Sequence, residues 1–473
     1  MHRLFRSLIL VVLVAAAIPQ LASAGSRMWI GFHDDPNFRY EGNRQAILDD
    51  ARDANATIVR TLVTWATIAP TKPANPADPF DPAYRFQDLD ELVRNSQARG
   101  MEALLTVWGT PKWANGGKTP NILPSKLADF TTFTKALASR YSGRTAGYPF
   151  VRFYSIWNES NLQLFLSPQF DAKGRSVGPR NYAKLAAAGY AGIKAGSPLA
   201  QVAIGETSSH GRDKKLKGNS DTHSPGRFAQ LVAAANPRLK FDAWAQHPYP
   251  YPVNMKPTQK VRWPNVTLTS MPRFETSLDQ WFKRKNVPVW ITEYGHEVKA
   301  DGEPKGVTRA QQAAYTAQAI SLARADARVG MFVWFVFRDH VTSEWQSGLV
   351  SRTGAAKPAL ARFSSAAASV DARQTTIKVP GGTVSPAVTV YLREYGAGTK
   401  AGETVGFNVK VLEKGKLVAS LQPTAPFRID ASALVTLTGF RPVKGHTYTV
   451  DVDANVYSGG GVTLSRRLTL IAT

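Results

Sequence analysis

Val151-Arg152-Phe153-Tyr154-Ser155-Ile156-Trp157-Asn158-Glu159-Ser160-Asn161 opens as a buried strand and closes as a cluster of polar groups. Its first six residues are rich in aromatic and β-branched types, with no Gly or Pro to interrupt an extended backbone. A second stretch, Val287-Pro288-Val289-Trp290-Ile291-Thr292-Glu293-Tyr294-Gly295, has the same form, an apolar strand tipped by a carboxylate. Two carboxylates at strand tips of one barrel can meet across a pocket, and a carboxylate pair is what cleavage of a glycosidic bond requires. A solvated loop Glu explains either one alone. Both together, each beside aromatic or amide neighbours, favour a site.

Outward from these stretches, residues 27–363 alternate short apolar runs with longer amphipathic ones, the pattern of β/α units around a parallel sheet. Strands are expected at 28–32, 57–63, 101–107, 151–156, 201–205, 241–245, in the Glu293 stretch and at 329–337. Helices are expected between them, and Thr308-Arg309-Ala310-Gln311 has the form of an N-cap box. Eight such units predict a (β/α)8 TIM barrel, whose sites lie at the C-terminal ends of the strands, where the polar and aromatic residues fall here. A doubly wound open sheet is the alternative, but no Gly-rich phosphate loop follows an early strand. Beyond an Ala/Ser-rich stretch at 364–369, short alternating runs separated by Gly-rich turns predict a small antiparallel β-sandwich. The expected organisation is a signal peptide at 1–24, a barrel at 25–363, a linker at 364–375 and a sandwich at 376–473.

Arg3 and Arg6 precede an apolar run at 8–18, and Ala22-Ser23-Ala24 supplies small residues for cleavage, so a secreted protein is expected. The run is too short to span a bilayer. The chain of 473 residues has no cysteine, which excludes thiol catalysis and Cys-based metal sites. Its eight histidines are dispersed without metal-binding spacing, so neither metal nor other cofactor is expected. The net charge is +23, or +21 without Arg3 and Arg6. A solvated basic surface explains this, and an anionic glycan or wall polymer is a partner it would suit. Nucleic acid is not expected, because Lys and Arg form no arm or stripe. A monomer is expected.

Trp157-Asn158-Glu159 and Ile291-Thr292-Glu293-Tyr294-Gly295 resemble the strand-four and strand-seven motifs of the retaining glycoside hydrolases of clan A. The likeness is nearest to the xylosidase-like family 39 and cellulase-like family 5, and it covers the barrel, about 28–363. Ser160 stands where the commonest version of the motif has Pro. The resemblance implies Glu159 as general acid/base, Glu293 as nucleophile and Asn158 as donor to the sugar 2-hydroxyl. It implies that Arg60 holds the nucleophile ionised, that Tyr249 of His247-Pro248-Tyr249 hydrogen-bonds it, and that Trp334 floors the subsite of the cleaved sugar. For His247 a satisfied polar residue near a strand end is the plainer reading. Trp65, Trp108 and Trp113 are candidates for further sugar subsites, with core packing an equal alternative. Asp34 and Glu206 are expected as hydrogen-bonding partners.

The activity implied is hydrolysis of a poly- or oligosaccharide by double displacement. An inactive glycan-binding barrel is the alternative from another class, and a transglycosylase using the same two Glu residues is the nearer variant. Retention of both carboxylates, Arg60, Asn158 and Tyr249 speaks against loss of turnover. The C-terminal domain has few aromatic residues outside strand-like positions, which favours bracing over glycan binding.

Overall fold

The computed structural model describes residues 28–99, 101–145, 147–218, 220–301, 304–342, 345–369, 376–391, 404–426, 432–456 and 462–473. The expected signal peptide lies outside them. Eight strands close a parallel barrel in chain order: β1 (Trp29–His33), β2 (Ile58–Thr64), β3 (Glu102–Trp108), β4 (Phe153–Ile156), β5 (Gln201–Thr207), β6 (Ala243–Gln246), β7 (Val289–Tyr294) and β8 (Val329–Phe335). β1 pairs with β8 through Trp29↔Met331 to His33↔Phe335, so the barrel has no free edge. Among the described residues no helix is long and apolar enough to cross a membrane.

Successive side chains of a strand point to opposite faces, so each barrel strand divides its residues between two cores. Ile58, Leu104, Phe153, Trp290, Met331 and Val333 fill the inside, while Val59, Ile291, Phe332 and Trp334 pack outward under the helices. Phe153 and Trp290 meet edge to face at 5.4 Å in the interior. Above this apolar plug the inward positions turn polar, beginning with Arg60, Thr106 and Ser155. The predicted N-cap box is formed: Thr308 Oγ1 accepts from the Gln311 amide at 3.2 Å, and Gln311 Oε1 accepts from the Thr308 amide at 2.9 Å.

One boundary and one strand pairing differ from the sequence reading. The helix Pro358–Ser369 runs through residues 364–369, which were expected to begin the linker. Residues 366–368 are all Ala, the best helix former, and Phe363 and Ala367 bury a common face, so nothing there stops the helix. Residues 370–375 lie outside the description. The C-terminal domain is a β structure of two sheets, but it is not wholly antiparallel. One sheet has the order β12 (Lys416–Leu421), β11 (Thr404–Glu413), β15 (Thr447–Val456), β16 (Val462–Ala472), β9 (Thr376–Val379), with β13 (Thr424–Pro426) also on β11. β10 (Ala387–Tyr391) and β14 (Ser432–Thr436) form the other. The β9–β16 pair is parallel, Thr469↔Thr376 to Ala472↔Val379. Val388 and Val435 of the small sheet share a core with Phe407, Val450 and Leu470 of the large one.

Candidate active site

The C-terminal mouth of the barrel opens into a cavity of about 610 Å³ with Asn158, Glu159, Tyr249 and Glu293 on its wall. Strand parity alone does not bring these groups together. In β7, Ile291 pairs with Phe332 and Tyr294 with Trp334, so three steps on β7 match two on β8. The extra residue lets both Thr292 and Glu293 face inward. β5 has the same device: Gly205 pairs with Ala245 and Thr207 with Gln246, which leaves Glu206 as the extra residue at φ 45°. At the tip of β4, Trp157 (φ 72°) and Glu159 (φ 36°) are left-handed. Such backbone costs about 1–3 kcal/mol per residue and is held only where packing over-determines it. Trp157 is held so: its indole is fully buried, and Nε1 donates to the Phe165 carbonyl at 2.6 Å.

Arg60, wholly buried on β2, is the hub. Its guanidinium donates to Glu293 Oε1, to Asn158 Oδ1 at 2.8 Å, to Glu206 Oε2 at 3.3 Å and to Thr106 Oγ1 at 3.0 Å. Because Asn158 Oδ1 accepts from Arg60, its amide NH2 is the end left to donate elsewhere. Tyr249 donates to Glu293 Oε2 at 3.2 Å. His247, expected to matter least, sits among three carboxylates. Nε2 lies 2.7 Å from Glu206, and Nδ1 lies 3.3 Å from Glu159 and 3.5 Å from Glu293. Both ring nitrogens therefore face acceptors and call for protons. Burial opposes the imidazolium, but Glu293, Glu159 and Glu206 outweigh it and raise the pKa to about 9. Burial likewise opposes the Glu293 carboxylate, and the His247 and Arg60 cations hold its pKa well below the usual range. Glu206 is lowered too, with Arg60 the main force against burial.

This arrangement makes stability depend on alkaline pH. His247 contributes in full below its unfolded value of 6.5 and loses the contribution as pH rises through about 9. The difference is worth on the order of 3 kcal/mol. Denaturant midpoints of wild type and His247→Gln, taken from pH 6 to 10, are expected to converge toward pH 10. A gap independent of pH would refute the charged imidazole.

Glu159, His247 and Glu293 each bring an atom within 4.8 Å of the others, the spacing of a metal site. The Arg60 guanidinium on Glu293, and the carboxylates that favour a charged His247 imidazole, suit the cluster to an ion-pair network.

Trp334, expected to floor the sugar subsite, does not line the cavity, and for Trp65, Trp108 and Trp113 the core alternative is the one found. Trp334 points outward by parity, is fully buried under the helices, and donates to the Ser347 carbonyl at 3.0 Å. The inward residue is its neighbour Phe335. Trp65 is also fully buried, stacked on Phe133 at 5.3 Å. Trp113 donates to the Ala69 carbonyl at 2.8 Å, and Trp108 donates to Thr64 Oγ1 at 3.0 Å and backs Phe165 edge-on. The indole on the cavity wall is Trp345, from the loop after β8, set edge to face against Tyr249 at 5.3 Å. Sequence reading missed it because that loop has no periodicity. His33 was missed as well: its Nδ1 lies 2.7 Å from Arg60 Nη1 and 3.4 Å from Glu293. Its signal was its place at the tip of β1 before two acids. Asp34 is a partner, as expected, accepting from the Asn37 side chain and the Arg338 amide. Burial raises its pKa to about 6.

Trp334→Ala is expected to cost about 3–5 kcal/mol of stability. Trp345→Ala is expected to spare the melting temperature and to lower kcat/KM. Thermal melts and kinetics of the pair check this; the opposite pattern would return Trp334 to the site.

Residues 23–336 match the family model described as cellulase (glycosyl hydrolase family 5). The chain belongs to this family. Family 5 membership makes it an O-glycosyl hydrolase of clan A. Among solved structures it is similar in fold to GH5_18 from Streptomyces cattleya in complex with GlcNAc, at 16% identity and TM-score 0.53. That match covers 76% of this chain and 85% of the other. It is also similar to the hyperthermophilic beta-glucosidase from Pyrococcus furiosus, at 13% identity and TM-score 0.51, over 73% of this chain and 96% of that one. No curated protein sequence gives a significant match.

Proposed function

We propose that this family 5 enzyme is a secreted retaining glycosidase acting on a poly- or oligosaccharide through a covalent glycosyl-enzyme. The observation that carries the reading is the spacing of the pair. Oxygens of Glu159 and Glu293 lie within 4.8 Å of each other. Retaining enzymes separate their carboxyl groups by about 5–5.5 Å, and inverting ones by about 6.5–9.5 Å to admit a water. Oxygens this close fit the retaining spacing better than the inverting one and support attack by a carboxylate.

Glu293, held ionised by His247 and Arg60, attacks the anomeric carbon while Glu159 protonates the departing oxygen. Glu159, now a carboxylate, then takes a proton from the water that displaces Glu293. The Asn158 NH2 is oriented to donate to a sugar hydroxyl, a bond that tightens as charge develops at the anomeric carbon. The form of residues 1–24 supports action outside the cell, and the basic surface would hold the enzyme near anionic polymers.

Incubation with 2-deoxy-2-fluoroglycosyl fluorides of several sugars, followed by peptide mass mapping, tests the mechanism. Expected is one label, on the peptide carrying Glu293. A label on Glu159, or turnover that inverts the anomeric centre, would sink it.

A further inference from the structure

The cavity wall is asymmetric in a way that names the leaving group. Toward β1 and β8 it mixes aromatic groups, Phe335 and Trp345, with charged and polar ones, Asp34, Asp35, Arg338 and His340. Toward the loops after β4, β5 and β6 it carries the aliphatic and aromatic groups Leu162, Leu164, Phe165, Tyr251 and Val253, without a charged side chain beyond Glu159. Leu164 is 69% exposed and Tyr251 47%, so the mouth displays large apolar groups to solvent. Isolated exposed leucines need no explanation, but apolar groups gathered at one site do. His210 stacks on Tyr251, with ring centroids 3.9 Å apart and planes 19° from parallel. Burial, then Arg212, lowers the His210 pKa, so the pair is an uncharged flat face.

The two serines on this side are already engaged. Ser208 Oγ accepts from Asn161 Nδ2 at 3.1 Å and donates to the His210 carbonyl at 3.2 Å. Ser209 Oγ lies 3.3 Å from His210 Nδ1. A sugar ring placed against Leu164 and Val253 would give up water at its hydroxyls without recovering partners there. Leu162, Leu164, His210 and Tyr251 also wall a second recess of about 250 Å³, whose outer end is polar, with Arg212 and Asp221, so the apolar stretch ends there.

Glu159 stands at the base of this track, on the β4 tip. The group that receives its proton must lie on its side, and that group is the leaving group. The geometry points to an apolar aglycone, an alkyl or aryl chain, gripped between Leu164 and the His210–Tyr251 face. The inference rests on Glu159 being the acid/base, and it narrows the substrate to an oligosaccharide joined to an apolar leaving group, cleaved at that junction.

An alkyl series tests it, because methyl, butyl and octyl alcohols differ little as leaving groups and differ greatly in apolar area. With the β-glycosides of glucose, mannose, galactose and N-acetylglucosamine, kcat/KM is expected to rise at least about tenfold from methyl to octyl on the accepted sugar. Leu164→Asp and Tyr251→Ala are expected to collapse that ratio. A flat series, or a disaccharide preferred over the octyl glycoside, overturns the inference. Binding of 1-octanol, followed by tryptophan fluorescence, needs neither turnover nor the right sugar. Expected is saturable binding to wild type and at least tenfold weaker binding to Leu164→Asp; equal or absent binding overturns the proposal. Fluoride is a small leaving group that needs no apolar track. Labelling of Glu293 without an alkyl preference would therefore discard the aglycone and keep the mechanism.

Discussion

Glu293→Gln is expected to lower kcat by about 10⁵–10⁶-fold, the order seen when an enzyme nucleophile is removed. The fold should survive. The new amide oxygen can accept from Arg60, its NH2 can face the Tyr249 hydroxyl, and Glu206 remains to balance the guanidinium. Lost activity with a cooperative melt near that of wild type is the anticipated result. Glu293→Ala with azide carries the argument further. Azide entering the vacated side would give a glycosyl azide of configuration opposite to the substrate. A glycosyl azide of retained configuration would instead assign Glu293 the acid/base role and exchange the two carboxylates.

Arg60→Met carries the second large effect, on stability and activity together. It strips the guanidinium from two buried carboxylates, Glu293 and Glu206. Breaking a buried pair from one side costs about 3–5 kcal/mol, because the remaining charge keeps its desolvation penalty. In wild type the depressed Glu293 pKa stabilises the fold above the ordinary carboxylate range, and this is lost only as pH falls through a much lower folded value. Without Arg60 that value rises, so the acid limbs of both stability and kcat/KM should move to higher pH. The rate at neutral pH should fall on the order of a thousandfold. Arg60→Lys would restore charge without the fork that reaches four partners, so only partial recovery is expected. Unchanged acid limbs in Arg60→Met would show that His247 alone keeps Glu293 ionised.

The barrel and the residues around Arg60 were legible because their signals are local. An apolar run ending in Asn-Glu or Thr-Glu-Tyr declares a strand and what sits on its tip. The facing of individual residues was not legible, because a single extra residue reverses it. Glu206 and Glu293 turn inward at bulges, and no residue type announces a bulge here. Trp334 and Phe335 exchange roles for the same reason: the sequence shows two aromatics in succession, and the pairing with β1 decides which one sees the cavity. Trp345, His210 and Tyr251 act from loops, where position comes from tertiary packing alone. The parallel β9–β16 contact joins segments that only the finished sheet brings side by side.

That contact and the β1–β8 seam share a property: among the described residues, each joins the earliest strand of its sheet to the latest. A ribosome delivers strands in order, so β1 waits with one bare edge until β8 appears, and β9 waits for Ala472. Shortening the chain within β16 would strand β9 and uncover the flank of β15, leaving two adhesive edges on an otherwise finished enzyme. Clumping, more than slow catalysis, is the defect such a truncation would bring.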